Sequence, residues 1–362
     1  MTFGILGSGS WGTALAKILT DNEHKINWWI RSESAIQHLL TRHHNPQYLR
    51  QVFFSNTLID PSTDATSVIR NSDYIIIAVP SAYTDDLLKS LDKDVFKGKK
   101  IISAIKGIMP DQNLLLNDLL KKDFDVELKD YFAVLGPCHA EEVAAEKLSY
   151  LTFSGVDTEA TREIASHFKT EYINTIENND IYGVQFAAIL KNIYAVGSGI
   201  AHGLDYGDNF LSVLIANSAD EMAGFLRKAG IVNAEVGYIE HKKVGSQQLA
   251  VGSGQLAVDG QQSAEKHSNY AASVYLGDLL VTCYSLHSRN RAFGNMIGKG
   301  YSVKSAQLEM NMVAEGYNAS RCMYLLNQQI DANMPIAETV YNILWKGLPA
   351  EEGFRLIEET LV

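Results

Sequence analysis

The chain predicts two domains, an N-terminal α/β domain on a doubly wound, mostly parallel sheet and an all-α C-terminal domain. Three observations carry this. Short, continuous apolar runs alternate with helical segments up to about Asn179, the pattern of strands covered on both faces. A glycine-rich turn follows the first run directly. Beyond Asn179 strand signals fade and long amphipathic segments take over. A chain of 362 residues also fits two domains of roughly 100–200 residues each. We place them at 1–179 and 180–362, with Asp180 as the N-cap of the first helix of the second domain.

In order, the expected strands are Phe3–Leu6, Lys25–Ile30, Tyr74–Val79, Lys100–Ile105 and Tyr131–Leu135, extended by Tyr150–Phe153 and Glu171–Ile176. The first helix runs from about Trp11 to Leu19. The second domain offers helices over Ile181–His202, Phe210–Ala229, Tyr270–His287 and Val303–Gln329. The helix over 181–200 carries Gln185, Lys191 and Asn192 and is not read as membrane-spanning. Between them, residues 245–268 (GSQQLAVGSGQLAVDGQQSAEKHS) are rich in Gly, Gln and Ser and nearly repeat one phrase. This reads as an inserted, loosely ordered loop.

Composition narrows the function. Hydrophobic residues make up 46% of the chain, enough for large cores, and the net charge of −11 disfavours nucleic acid and anionic membrane surfaces as partners. Cys138, Cys283 and Cys322 are odd in number and far apart, which suits neither a disulfide framework nor a zinc site. The first strand starts almost at Met1, with no signal peptide before it. A cytoplasmic protein with no metal, no nucleic acid and no stable membrane insertion is expected.

Gly7-Ser8-Gly9-Ser10-Trp11-Gly12 is G-x-G-x-x-G between a strand and a helix, the pattern of a Rossmann dinucleotide site. Gly7 makes the tight turn, Gly9 lets a pyrophosphate approach backbone N–H groups, and Gly12 lets helix and strand pack closely. The second strand ends in Arg31, where a basic residue tolerates the 2′-phosphate of NADP. NADP use is favoured, with NAD still accepted.

Three further places carry chemistry. Lys106-Gly107 follows a strand's C-terminal end. Lys191-Asn192 lies in the apolar helix AAILKNIYAVG, where a lysine either snorkels to water or serves as a desolvated base. Lys106 would help hold its pKa down and Asp278 would push it up, and the sequence leaves open which prevails. The stretch GDLLVTCYSLHSRNR from Gly277 to Arg291, taken as one helix, sets Asp278, Thr282 and Arg289 within roughly 40° of one face. Ser288 and Asn290 flank the arginine. A small phosphorylated polyol would satisfy such a face; a solvated surface helix is the alternative. GPCHAEEV from Gly136 follows another strand, with His139 an alternative acid/base and Cys138 disfavoured as a nucleophile.

Together these pieces resemble the bacterial-type NAD(P)-dependent glycerol-3-phosphate dehydrogenase family. The matching stretches are GSGSWGTALA at Gly7, Lys106-Gly107, GPCHAEEV at Gly136, LKN at Leu190, GDLLVTC at Gly277, SRNRAFG at Ser288 and VAEG at Val313, in family order over nearly the whole chain. The resemblance implies a helical domain like that of 6-phosphogluconate dehydrogenase. It also implies interconversion of dihydroxyacetone phosphate and sn-glycerol 3-phosphate for phospholipid synthesis, and a homodimer. By position, Lys191 would be the proton acceptor. Lys106, Gly136, Cys138, Asp278, Ser288, Arg289 and Asn290 would meet the substrate, with Arg289 and Asn290 on its phosphate; the helix-face and Lys191-Asn192 readings add Thr282 and Asn192. Gly7, Gly9, Ser10, Trp11, Gly12, Arg31, Lys106, Ala140, Arg289, Val313 and Glu315 would meet the cofactor. Cys138 stands where the family usually has Ser or Thr, and the 245–268 segment is longer than usual. The rivals are a related dehydrogenase of a 3-hydroxy acid or ketopantoate-like compound, and a nucleotide sensor without turnover.

Overall fold

A computed structural model describes residues 1–231, 273–310 and 314–362; the 245–268 segment and Val313 lie outside the described residues. The N-terminal half alternates strand and helix: β1 (Phe3–Leu6), α1 (Ser10–Asp21), β2 (Ile26–Trp29), α2 (Glu33–Arg42), β3 (Ile59–Ser62), α3 (Ala65–Arg70), β4 (Tyr74–Ile77), α4 (Ser81–Lys89), β5 (Lys100–Ser103), α5 (Leu116–Phe124), β6 (Tyr131–Leu135), α6 (Ala140–Ala144), β7 (Ser149–Ser154), α7 (Thr158–Ser166) and β8 (Ile173–Asn178). The eight strands form one sheet in the order β3-β2-β1-β4-β5-β6-β7-β8. Every pairing is parallel except β6 with β7. Every residue of β1 and of β4 is buried, as central strands between two helical layers must be. One core lies on the face under α1, α6 and α7, around Leu15, Val143 and Ile164. The other lies under α3, α4 and α5, around Ile69, Leu88 and Leu119.

β3 is the strand that the sequence does not announce. It is four residues long, contains Pro61 and pairs only with β2. An edge strand tolerates the missing N–H of a proline, and the same proline removes the strand signal.

After β8, Asp180 caps α8 (Ile181–Gly203), its carboxylate accepting from the Gly183 N–H at 2.7 Å. α8 is mostly apolar and buried along nearly its whole length, as a core helix should be. Among the described residues it is the one helix long and apolar enough to cross a membrane, and it is buried inside the protein. Around it pack α9 (Asp208–Lys228), α10 (Asp278–Tyr284), α11 (Arg289–Gly298), α12 (Val303–Glu309), α13 (Glu315–Ile330), α14 (Pro335–Tyr341) and α15 (Ala350–Glu358). α8 also joins the halves: its Gln185 accepts from the Tyr131 hydroxyl of β6 at 2.8 Å and donates to Asn117 of α5 at 3.0 Å.

Two expected helices are broken. The single helix over Val303–Gln329 is α12 and α13, with Met310 and Ala314 in extended backbone. The helix over 277–291 stops at Tyr284. Ser285 turns extended, and α11 starts afresh at Arg289 behind Ser288, whose Oγ accepts from the Arg291 N–H at 3.3 Å. Asp278 and Thr282 therefore share one helix and Arg289 begins another. Serine competes for backbone hydrogen bonds and favours caps over helix interiors, and this stretch holds two serines within four residues.

α8 and α11 touch backbone to backbone. A Cβ on Gly294 would sit 2.0 Å from the Val196 carbonyl oxygen, one on Gly199 2.1 Å from that of Arg291, and one on Gly298 2.4 Å from that of Ile200. Only glycine permits this approach.

Candidate active site

The strand ends of β1, β4, β5 and β6 face the helical half across a cavity of about 210 Å³. Open parallel sheets place ligands at this edge. On the sheet side, Gly9, Ser10 and Trp11 line it, with Ala78 to Pro80 after β4 and Ala104 to Lys106 after β5.

The three motif glycines divide the labour that their spacing suggests. Gly7 has a φ of +121°, and a Cβ there would lie 2.8 Å from the Ala78 carbonyl oxygen. A Cβ on Gly12 would lie 2.4 Å from the Gly7 carbonyl oxygen, so this glycine seats α1 on β1. A Cβ on Gly9 would meet nothing within 4 Å: the space above it is open to a ligand. α1 starts there without a side-chain cap, so its first-turn N–H groups are free for an anion. The Trp11 indole N–H is buried without a partner. The turn fits a dinucleotide pyrophosphate.

A second cavity, of about 110 Å³, lies beyond Ser8 and is lined by exposed Arg31, Ser32 and Gln47 and by buried Asn45. Arg31 thus stands apart from the main cavity, where the adenosine end of a dinucleotide would reach.

On the helical side, Lys191 and Asp278 form an ion pair and are 2% and 1% exposed. The lysine lies below its ordinary pKa. Burial is the largest cause; Asp278 pulls upward and Lys106 pushes down again. Of the two neighbours Asp278 has the larger effect, yet the loss of hydration of the buried ammonium outweighs it and the net direction is downward. Lys191 is thus a base held near its working range. Half-buried Lys106 sits 5.4 Å from the centre of the Trp11 ring.

Asn192 and Asn290 bind the site's elements together. Asn192 donates to the Lys106 carbonyl oxygen at 2.9 Å and accepts from Asn290 at 2.9 Å. Asn290 in turn accepts from the Gly316 N–H of α13 at 2.9 Å. Asn290 therefore acts first as a strut, with one amide hydrogen left for a ligand. The Thr282 hydroxyl donates to the Asp278 carbonyl oxygen at 2.6 Å, so it offers a ligand lone pairs only. Ser288 caps α11. Arg289, on the first turn of α11, is exposed to the cavity. Glu315 opens α13 and accepts from the Ser81 N–H and hydroxyl; burial raises its pKa.

From β6, Cys138, His139 and Ala140 reach the cavity. Burial pushes the Cys138 thiol up to about 12, so it is no nucleophile at neutral pH. His139 is lowered to about 4, by burial first and then by Lys106 and Lys191. It stays neutral and cannot serve as the acid. Gly136 does not line the cavity. It has a φ of +134°, and a Cβ there would lie 2.7 Å from the Tyr150 carbonyl oxygen, so it shapes the turn that presents Cys138.

The cavity thus collects Gly9, Ser10, Trp11, Lys106, Cys138, Ala140, Lys191, Asn192, Asp278, Thr282, Ser288, Arg289, Asn290 and Glu315. Gly7, Gly12 and Gly136 set its backbone. His287 and Glu141 also line it, beyond the residues that the sequence points to; for His287 the available signal is its place just before the SRNR stretch.

Comparison with known proteins agrees with this arrangement. The N-terminal part described as NAD-dependent glycerol-3-phosphate dehydrogenase matches residues 2–161, and the C-terminal part of the same description matches residues 180–355. The chain is 32% identical over 350 residues to a glycerol-3-phosphate dehydrogenase [NAD(P)+] of Bacillus pumilus, covering 96% of this chain and 91% of that protein. It is 32% identical over 351 residues to one from Streptococcus pneumoniae, covering 96% and 92%. In fold it matches the crystal structure of glycerol-3-phosphate dehydrogenase from Coxiella burnetii with a TM-score of 0.83, at 24% identity over 99% of this chain and 98% of that one. Two-part match, full-length similarity and a dinucleotide turn facing a buried lysine agree: the chain belongs to the NAD-dependent glycerol-3-phosphate dehydrogenase family.

Proposed function

We propose that the protein interconverts dihydroxyacetone phosphate and sn-glycerol 3-phosphate with NAD(P)H, supplying the glycerol phosphate used in phospholipid synthesis. The observation that carries this is the buried Lys191–Asp278 pair placed between a dinucleotide turn and the arginine at the start of α11. When bound, the nicotinamide supplies or takes the hydride. The protein does the rest. Gly9 and the first turn of α1 hold the pyrophosphate. Arg289 and the first-turn N–H groups of α11 that Ser288 does not engage receive the substrate phosphate, which suits a guanidinium fork beside a helix N-terminus. The Lys191 ammonium gives its proton to the oxygen on the carbon that gains hydride. In the reverse direction the neutral amine takes that proton as hydride leaves. Asp278 aims the ammonium and keeps part of it protonated at neutral pH.

Arg31 beside Ser32 in the second cavity supports use of NADPH as well as NADH. The three cysteines are free and buried, which suits a reducing cytoplasm, and we keep the homodimer as part of the proposal. A rival dehydrogenase of an unphosphorylated acid would have no use for Arg289. The deciding experiment is a steady-state assay of dihydroxyacetone phosphate against dihydroxyacetone, with NADH and NADPH in parallel. A strong preference for the phosphorylated ketone is expected, and equal kcat/KM for the two would overturn the assignment.

A further inference from the structure

The mouth of the cavity holds one side chain that the proposed mechanism does not use. His287 lines the cavity, is exposed, and has no side-chain hydrogen bond or ion pair among the described residues. It stands just before Ser288, the cap of α11, and lines the same cavity as Arg289 and Asn290 of that helix's first turn. Its own backbone N–H is tied to the Ser285 Oγ at 3.1 Å, which fixes the turn from which the ring projects. Across the cavity it meets His139, with ring centres 6.0 Å apart.

The charges around it favour an anion. Of the carboxylates lining the cavity, Asp278 is committed to Lys191 and Glu315 to Ser81, leaving Glu141, while Arg289 and Lys106 are cationic. His139 is held neutral by burial and by its lysine neighbours, so it adds no charge to repel a second imidazole. An exposed imidazole that no protein group engages, lining one cavity with Arg289 and the start of α11, is free to serve an anionic ligand.

We propose that His287 is a further substrate-binding residue, donating a hydrogen bond to the phosphate held by Arg289 and the first turn of α11, while His139 packs against its ring from the other half of the molecule. This rests on the placement of the phosphate proposed above. It makes selection for a phosphorylated substrate the joint work of two residues from one turn.

The test is steady-state kinetics of the full chain with both ketones. His287→Ala should raise KM for dihydroxyacetone phosphate by about tenfold, as loss of one hydrogen bond to a charged group does. The turnover number should change less than twofold, and KM for NAD(P)H should not move. The kcat/KM for dihydroxyacetone should stay constant, so the preference for the phosphorylated ketone falls by the same factor. His287→Gln, which keeps an uncharged donor, should recover part of the loss, and unchanged melting temperatures would show that both variants are folded. An unchanged KM for dihydroxyacetone phosphate, or an equal loss on both ketones, overturns the proposal. Arg289→Ala in parallel separates the two claims. If it destroys the preference while His287→Ala keeps it, the phosphate placement stands and the role of His287 fails. If the unaltered protein shows no preference, both fail.

Discussion

The two halves of this molecule both rely on glycine to build the site, and for opposite ends. In the sheet half, Gly9 leaves a space that no protein atom enters within 4 Å, and the space is the binding site. In the helical half, Gly199, Gly294 and Gly298 remove space, letting α8 and α11 meet at their backbones. The first use gives room to a ligand. The second sets a rigid angle between the helix that carries Lys191 and the helix that starts at Arg289. Binding is thus built on an opening, chemistry on a contact.

That contrast makes predictions that separate. The largest effect belongs to Lys191→Ala. Removing the proton carrier should lower kcat by about 10²- to 10⁴-fold while fluorescence titration finds NAD(P)H affinity unchanged; near-normal turnover would show that another group moves the proton.

Next come the paired glycines. Gly294→Ala drives a methyl group into a backbone oxygen that cannot yield, and should cost about 1–3 kcal/mol of stability, read by denaturant unfolding. Gly9→Ala should leave stability the same or slightly higher, since its backbone is ordinary for alanine, yet raise KM for NAD(P)H by about tenfold or more. If the two variants exchanged phenotypes, the division of labour would be wrong.

The smallest effect is a shift of pH dependence. Asp278 raises the Lys191 pKa, so Asp278→Asn should lower it further. Ketone reduction needs the ammonium and fails as pH rises through that pKa. The falling limb of the reduction profile should therefore move to lower pH in the variant, and a limb that stays in place would detach Asp278 from the lysine's titration.

Much of this was legible in the chain. The G-x-G-x-x-G turn, the strands ending at Lys106 and Gly136, and the polar pair Lys191-Asn192 in an apolar helix each announce themselves by residue type and spacing. The interruptions were not legible. β3 hides behind Pro61. The gap between α10 and α11 hides because Asp278, Thr282 and Arg289 keep helical spacing across it, although Ser285 and Ser288 are a stop and a cap that could have been read as such. The glycine contacts of α8 and α11 are not legible either. Gly199 with Gly203 and Gly294 with Gly298 repeat at four-residue spacing, but a spacing within one helix does not name its partner. Depth decides the last unread quantity, the direction of the Lys191 shift, and depth belongs to the fold.

The hydrogen bond from Asn192 to residue 106 ends on a carbonyl oxygen and not on the lysine side chain. Any amino acid at position 106 would present the same acceptor. This one tie between the halves is thereby written in main chain, while the charge displayed to the ligand is written in side chain. The charge at position 106 can therefore change without cutting this tie, whereas the Gln185–Tyr131 and Ser81–Glu315 ties are side-chain bonds that a change of residue would cut.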